Sequence, residues 1–157
     1  MPTNFPSGVQ SRGVPVEGFG GIGSPLLTMG NIYHVDSGAD TADNDNAGTN
    51  PKQPLATLDG AINKTTASNG DVILIHPGHA ETISAAAAIT FDVAGVTVIG
   101  MGVGNSRPTI TLDTAATTDI DVTADDVQIH NVIFSMNYAD VAGVFDLSAA
   151  GFVVNNC

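Results

Sequence analysis

The segment ITFDVAGVTVIG at residues 89–100 recurs twice without a gap, as IDVTADDVQIHN at residues 120–131 and FDLSAAGFVVNN at residues 145–156. Each copy has a strand with two alternating apolar residues, a four-residue corner and a second alternating strand. The copies start 31 and 25 residues apart (89 to 120 and 120 to 145). A repeat of roughly 20–30 residues is typical of stacked coils with variable outer loops. The pattern therefore predicts an all-β fold, a short parallel β-helix.

The corners between the paired strands support this prediction, because sharp bends need small or polar residues. The corner residues are Asp92, Ala94 and Gly95; Thr123, Asp125 and Asp126; Ser148, Ala150 and Gly151. A β-sandwich also has short strands at regular spacing and is the alternative fold. Its paired strands would be joined by Asn-Gly or Asp-Gly hairpin turns, and the three copies have none.

The chain divides into an arm and one domain. Residues 1–30 are rich in Pro and Gly but carry scattered apolar side chains, which predicts an extended N-terminal arm. We expect this arm to dock on a neighbouring subunit, with its own domain as the alternative. Residues 31–157 form the β-helix domain. Within it, residues 31–69 supply a capping strand, an acidic loop and a helix of about two turns, and residues 70–157 form the coils. The helix is predicted from the spacing of Leu55, Leu58, Ala61 and Ile62.

Several segments resemble the pectin-lyase-like right-handed parallel β-helix proteins, and more narrowly those encoded among the virion structural genes of tailed bacteriophages. They are VILIHPGHAETIS (72–84), AGVTVIGMGVGNSRPTITL (94–112), DDVQIHNVIF (125–134) and FVVNNC (152–157). The opening MPTNFPSGVQSRGVPV resembles the N-terminal segments of phage head-associated proteins, and PLATLDGAI (54–62) resembles the helix that caps such β-helices. The resemblance implies a right-handed solenoid. Its bearing on function is weaker, because this fold hosts lyases, hydrolases, adhesins and inert scaffolds.

The charge of the chain limits its partners. The net charge is −12, and the only fixed cations are Arg12, Lys52, Lys64 and Arg107. Nucleic acids and anionic membranes are bound through basic surfaces, which these four residues do not provide. We therefore expect proteins, sugars or cations as partners, and neither nucleic acid nor membrane.

Residues His76 to Glu81 are the first candidate site. Two imidazoles, His76 and His79, and the Glu81 carboxylate lie within six residues, as in a zinc site. The Pro-Gly turn between the histidines does not match helical His-x-x-x-His spacing, so we expect a polar turn without metal. His130 alternates with apolar Ile129, and we expect it to face outward.

The acidic loop is the second candidate site. It carries Asp36, Asp40, Asp43 and Asp45 with Asn46 and Gly48, a pattern that hints at calcium. Pro54 is the twelfth residue of a loop that starts at Asp43, where an EF-hand would have its bidentate Glu. We expect a solvated loop, with calcium as the alternative.

The coils are poor in catalytic groups. Residues 70–157 contain one arginine, Arg107, and no lysine to abstract a proton as in polysaccharide lyases. Asp125 and Asp126 are adjacent at a corner and so point in different directions, unlike the paired carboxylates of hydrolases. Aromatic residues make up 5% of the chain, too few for a sugar-stacking platform. We predict no catalytic residue, no cofactor-binding residue and no metal ligand.

Two features of the second and third copies indicate that the coils have a structural role. Asn131 and Asn156 fall at equivalent positions, with Gly100 in the first copy, and stacked amides form hydrogen-bonded ladders. The final strand of the last copy has no cover in the sequence, so its edge needs a partner or further polypeptide.

The function expected from these features is that of a non-enzymatic virion structural protein. We expect a phage capsid decoration or cement protein on the capsid surface, bound to the major capsid protein and to copies of itself as a homotrimer. The alternative is a tail-spike or receptor-binding protein that contacts carbohydrate. A cell-surface adhesin is a third possibility.

Overall fold

The computed structural model describes residues 28–113, 117–138 and 143–157, and the backbone of two short strands before them. Its elements are β1 (Gln10–Ser11), β2 (Val14–Pro15), β3 (Ile32–Val35), α1 (Leu58–Ile62), β4 (Val72–Ile75), β5 (Ala80–Ile83), β6 (Ile89–Phe91), β7 (Thr97–Gly100), a 3-10 turn (Gly104–Ser106), β8 (Thr109–Leu112), β9 (Ile120–Val122), β10 (Gln128–His130), β11 (Ile133–Met136), β12 (Phe145–Leu147) and β13 (Val153–Asn155). The predicted arm, residues 1–30, lies outside the described residues except for β1, β2 and its last three residues. No helix in the described ranges is long and apolar enough to cross a membrane.

Strands β3 to β13 form three parallel sheets. Sheet 1 has the order β13-β10-β7-β4-β3, sheet 2 the order β11-β8-β5 and sheet 3 the order β12-β9-β6. From β4 onward the chain visits sheets 1, 2 and 3 in rotation. We call each set of three strands a circuit: β4–β6 is the first, β7–β9 the second and β10–β12 the third. The antiparallel pairs that a β-sandwich requires do not occur among β3 to β13.

The strand register confirms the predicted alignment of the three copies. In sheet 3, Ile89 pairs with Ile120 and Ile120 with Phe145. In sheet 1, Val98 pairs with Ile129 and Ile129 with Val154. Residues that are equivalent in the sequence repeat are therefore stacked on one another.

Alternation along each strand sends every second side chain into the space between the sheets. In sheet 1 the inward column contains Ile73, Val98 and Ile129, which are all fully buried. Burying one such side chain contributes about 2 kcal/mol to stability. The core between the sheets consists mainly of β-branched residues and Leu, with few aromatic rings. Such residues suit the narrow layers formed by stacked strands.

The corners between sheet 3 and sheet 1 need a left-handed backbone. Gly95, Asp126 and Gly151 occupy this position in successive circuits, with φ of 76°, 59° and 73°. Backbone hydrogen bonds link the corners, from Gly95 N to Asp125 O at 3.0 Å and from Asp126 N to Ala150 O at 2.9 Å. The predicted corners are confirmed, and Asp126 is the one position of the three without glycine's freedom.

Helix α1 is shorter than predicted. It has five residues, and the Thr57 hydroxyl accepts a hydrogen bond from Gly60 N at its start. Leu55 is not helical but forms a parallel bridge with Val35. All four apolar residues that predicted the helix are nevertheless buried. A central glycine and the threonines that follow favour a short helix, and packing against the sheets holds it.

Candidate functional site: the open end of the sheets

The inward columns of all three sheets are buried along their length and exposed at the last strand. In sheet 1, Ile129 is 0% exposed and its partner Val154 is 42% exposed. In sheet 2, Leu112 is 0% exposed and its partner Met136 on the last strand is 57% exposed. In sheet 3, Leu147 stacks on a fully buried residue and is 52% exposed. We call this surface, formed by β11, β12 and β13, the open end.

Backbone edges and aromatic rings complete the open end. Each of β11, β12 and β13 has one neighbour among the described strands and so presents an unpaired edge. Phe145 makes edge-to-face contacts with Phe134 and Phe152, at centroid distances of 5.0 and 5.1 Å. Apolar side chains beside free backbone groups are what an incoming strand or loop can bind.

The opposite end of the sheets is covered, and we call it the sealed end. The outer edge of β3 is bonded to the segment that follows it, through His34 N to Gly48 O at 2.7 Å and Leu55 N to His34 O at 2.8 Å. Tyr33 lies beneath this cover at 7% exposure, and its hydroxyl donates to Lys64 O at 2.7 Å. Burial, together with the charge of Asp71, raises the pKa of Tyr33.

A buried carboxylate ties the sealed end together. Asp71 is 1% exposed and accepts hydrogen bonds from Asn31 N, Thr66 N and Asn69 Nδ2, each at 2.7 Å. These donors come from the residue before β3 and from the turn after α1. Three donors on one carboxylate offset the cost of burying its charge.

The two histidines of the first candidate site point to different places. His79 is buried, with Nδ1 accepting from Ser37 N at 2.9 Å and Nε2 lying 3.3 Å from Glu81 Oε2. The same Glu81 oxygen accepts from Leu58 N at the start of α1. The predicted turn is present, with His79 N donating to His76 O at 3.2 Å. The sequence did not reveal that His79 is buried there and links the acidic loop to the helix inside the sealed end. Its ring nitrogens are both occupied by these contacts.

His76 instead meets His34, a contact that the sequence did not reveal. His34 Nδ1 lies 3.0 Å from His76 Nε2, and His76 Nδ1 lies 3.6 Å from Asp36 Oδ2. Burial, together with the neighbouring His76, lowers the pKa of His34. The signal available in the sequence was the alternation of β3 and β4, which sends both imidazoles to the same face once the two strands pair.

The acidic loop holds itself with its own polar groups. Asn44 Oδ1 accepts from Ala56 N and Thr57 N, and Asn46 Nδ2 donates to Thr41 O and Pro54 O. Asp43 Oδ1 accepts from Asp45 N at 2.9 Å. Within the described ranges, the loop's carboxylates do not come together as a group of three.

Three other carboxylates do converge, near the open end. Oxygens of Asp119, Asp121 and Asp146 lie within 4.8 Å of one another and are suited to a divalent cation. Partial burial and the charges of Asp119 and Asp146 raise the pKa of Asp121. The sequence pattern did not reveal this cluster, although Asp121 and Asp146 occupy equivalent positions in the aligned copies.

The predicted asparagine ladder is confirmed. Asn156 Nδ2 donates to Asn131 Oδ1 at 2.9 Å, and Asn131 Nδ2 donates to Gly100 O at 2.7 Å and Gly102 O at 3.0 Å. A side chain on Gly100 would place its Cβ 2.3 Å from Asn131 O, which explains the glycine there. Arg107 Nη1 donates to Asn156 O at 2.9 Å and so holds the last residue of the ladder in place.

The remaining sequence candidates take structural positions. Asp125 Oδ1 accepts from Ala150 N at 2.7 Å, which holds one corner on the next. His130 faces outward as predicted, with Nε2 3.3 Å from Gln128 Oε1.

The geometry thus offers an apolar open end and a nearby acidic cluster as candidate functional surfaces. No family model, curated protein or solved structure matches the chain.

Proposed function

We propose that the chain is a right-handed parallel β-helix that acts as a non-enzymatic virion structural protein. In this proposal it is a decoration or cement protein on a phage capsid, and it forms a homotrimer. The family resemblance described above supplies the virion setting. Rotation of the chain through three parallel sheets supports the helix, and parallel strands joined by crossovers favour the right-handed form.

The observation that carries the proposal is the exposure of Met136, Leu147 and Val154, one residue from each sheet. An apolar surface framed by unpaired strand edges needs a cover to avoid aggregation. The major capsid protein or a neighbouring copy of the chain would provide it.

The acidic charge fits a protein surface better than a nucleic acid. Residues 28–157 carry three fixed cations, and one of them, Arg107, bonds Asn156 O. An acidic domain would be repelled by packaged nucleic acid, so we place it on the outside of the capsid.

Capsid binding tests the proposal. The purified protein, added to capsids of its major capsid protein that lack it, should co-sediment with them. The pair Leu147→Asp and Val154→Asp should weaken binding at least about tenfold, because it places charges in the apolar contact. Thr82→Asp with Ser84→Asp adds the same charge at exposed positions of the first circuit and should bind normally.

Two results would count against the proposal. One is a stable monomer that does not bind such capsids, as judged by native mass and sedimentation. The other is normal binding by the open-end pair, which would place the contact elsewhere on the molecule.

A carbohydrate-binding role, as in a tail spike, is the alternative. A shallow pocket of about 250 Å³ lined by Asp119, Gly143, Phe145 and Asp146 favours it, since a ring and carboxylates suit a sugar. Binding or degradation of host polysaccharide by the isolated chain, lost in Asp146→Ala, would rank this role first.

A further inference from the structure

The outer face of sheet 1 contains side chains that are buried although they point away from the core. Val72, Leu74 and Ile99 alternate with the inward residues of β4 and β7, yet they are 1%, 8% and 0% exposed. The inward column lies on the other side of the sheet and cannot cover them. We call this surface, with Ile32 and Met101 at its margin, the outer apolar face.

The burial is confined to one half of the sheet. Val72 and Val153 are valines in the same row of this face, linked through Thr97 and Gln128, and they are 1% and 43% exposed. Gln128, beside Val153, is also exposed. Whatever covers the face therefore lies over β3, β4 and β7 rather than over β10 and β13.

Among the described residues, the apolar side chains that pack against this trio are Ile32 and Met101, at the margin of the same face. Neighbours in the plane of a sheet leave the tops of side chains accessible, so zero exposure requires atoms above the sheet. The polar neighbours in the same row, His34 beside Leu74 and His130 beside Ile99, also lie in the plane of the sheet and are themselves half-buried. A cover from another segment accounts for the burial of all of them.

The N-terminal arm begins at this half of the sheet. The Thr28 hydroxyl donates to Gly70 O, and Asn31 N donates to Asp71 Oδ1, one residue before Val72. Gly30 fits between them because a Cβ there would lie 2.6 Å from Asp71 Oδ1. These contacts fix the point from which residues 1–27 leave the domain.

The arm also has the right composition and length. Its fixed charges, Arg12 and Glu17, cancel, so the net charge of −12 belongs to residues 28–157. Its apolar residues include Phe5, Val9, Val14, Val16, Phe19, Ile22, Leu26 and Leu27. The chain reverses between β1 and β2, which pair antiparallel. The residues between β2 and Thr28 would, if extended, span roughly 40 Å, and the whole five-stranded sheet spans roughly 20 Å.

We propose that the arm, residues 1–27, lies over the outer apolar face of its own chain. Its tether to Thr28 gives it a high effective concentration there, whereas the domain of a second copy would bring another strongly acidic surface. This docking takes the place of the neighbouring subunit that the sequence suggested. It is independent of the proposed function, since the open end is a different surface.

Cysteine labelling tests the proposal with a matched pair. In a Cys157→Ser background, Val72→Cys and Val153→Cys probe the two ends of the same row. A maleimide should label Val72→Cys at least about 100-fold more slowly than Val153→Cys in the full chain. Removal of residues 2–27 should bring the two rates to within about threefold of each other.

A core probe shows whether the shortened chain is still folded. Val98→Cys, which faces inward, should stay slow in both lengths of the protein. Equal slow labelling of Val72→Cys with and without the arm would overturn the proposal, as would fast labelling in the full chain.

If the shortened chain unfolds, cross-linking in the full chain decides the question. A photoreactive p-benzoylphenylalanine in place of Phe19 should cross-link within one chain to the peptides that contain residues 72–74 or 99–101. Cross-links to β13, to a second copy of the chain, or to none of these peptides would each contradict the proposal.

Discussion

The sealed end and the open end are built from the same parallel sheets and differ in what covers them. At the sealed end, Tyr33 is 7% exposed, and backbone groups of Gly48 and Leu55, in the segment between β3 and α1, satisfy the edge of β3. At the open end, Val154 continues the same inward column at 42% exposure. The comparison shows that strands alone bury the middle of the stack, whereas an end needs a cover with a different sequence. Such a cover is present at one end of the described residues.

The largest effect should come from the carboxylate that holds the sealed end. Asp71→Ala removes the acceptor of three hydrogen bonds and leaves buried N–H groups unpaired, so we expect a loss of about 3–5 kcal/mol in the free energy of unfolding. Urea titration measures it. Asp92→Ala, at an exposed corner, is the control and should cost less than about 0.5 kcal/mol. Equal losses in the two variants would refute the role of Asp71.

A matched pair of valines compares the middle of the stack with the open end. Val98→Ala, in a fully buried position, should cost about 2 kcal/mol, because it leaves a cavity. Val154→Ala lies in the same inward column and should cost less than about 1 kcal/mol. Thermal unfolding of the two variants gives both values. Similar costs would mean that the open end is covered in the free protein, for example by self-association, and dilution would then lower the midpoint of Val154→Ala.

Substitutions in the asparagine ladder should also cost more stability inside the stack than at the open end. Asn131→Gly keeps a backbone that tolerates φ of 58° but removes an amide bonded on both sides, at an expected cost of about 1–2 kcal/mol. Asn156→Gly removes the terminal amide and should cost less than about 1 kcal/mol. Chemical denaturation distinguishes the two values. A larger loss for Asn156→Gly would show that the terminal amide has a further partner.

The smallest effect should be a pH dependence located at the sealed end. The pKa of His34 is lowered in the folded chain, first by burial and then by His76, so the unfolded chain binds the proton more readily. The stability that this histidine contributes is therefore complete above its unfolded pKa of about 6.5 and is lost as the pH falls from there toward the lower folded value. Unfolding midpoints measured between pH 7.5 and 5.5 should decrease. His34→Gln should flatten this slope, and an unchanged slope would assign it to other groups.

Local pattern was enough to predict the stack itself. The repeat gave the pairing of Ile89, Ile120 and Phe145 and the contact between Asn131 and Asn156, because equivalent residues in stacked strands must meet. The capping strand and the buried residues of the helical segment followed from hydrophobic spacing in the same way. Contacts between strands are predictable where both strands carry the same short pattern, because equivalent residues then pair.

The sealed end was harder to predict, because its contacts join residues far apart in an irregular segment. His79 is buried against Ser37, which lies 42 residues earlier, and no spacing rule connects them. The Asp119, Asp121 and Asp146 cluster combines two aligned residues with a third from a loop. The outer apolar face went unnoticed because a strand buried on both sides, such as VILI at β4, reads as a continuous apolar run without alternation.

The near-constant spacing of paired strands has a consequence for the order of folding. From β7 onward, each strand pairs with one that begins 24 to 31 residues earlier, as in Thr109 with Ile133 and Ile89 with Ile120. Loop-closure entropy depends weakly on length, so each added circuit faces nearly the same entropic barrier. The first step, which pairs Ile32 with Val72, has no formed strand pair to build on and is the slowest to nucleate. We expect the chain to fold like a zipper that starts at α1 and advances in the direction of synthesis.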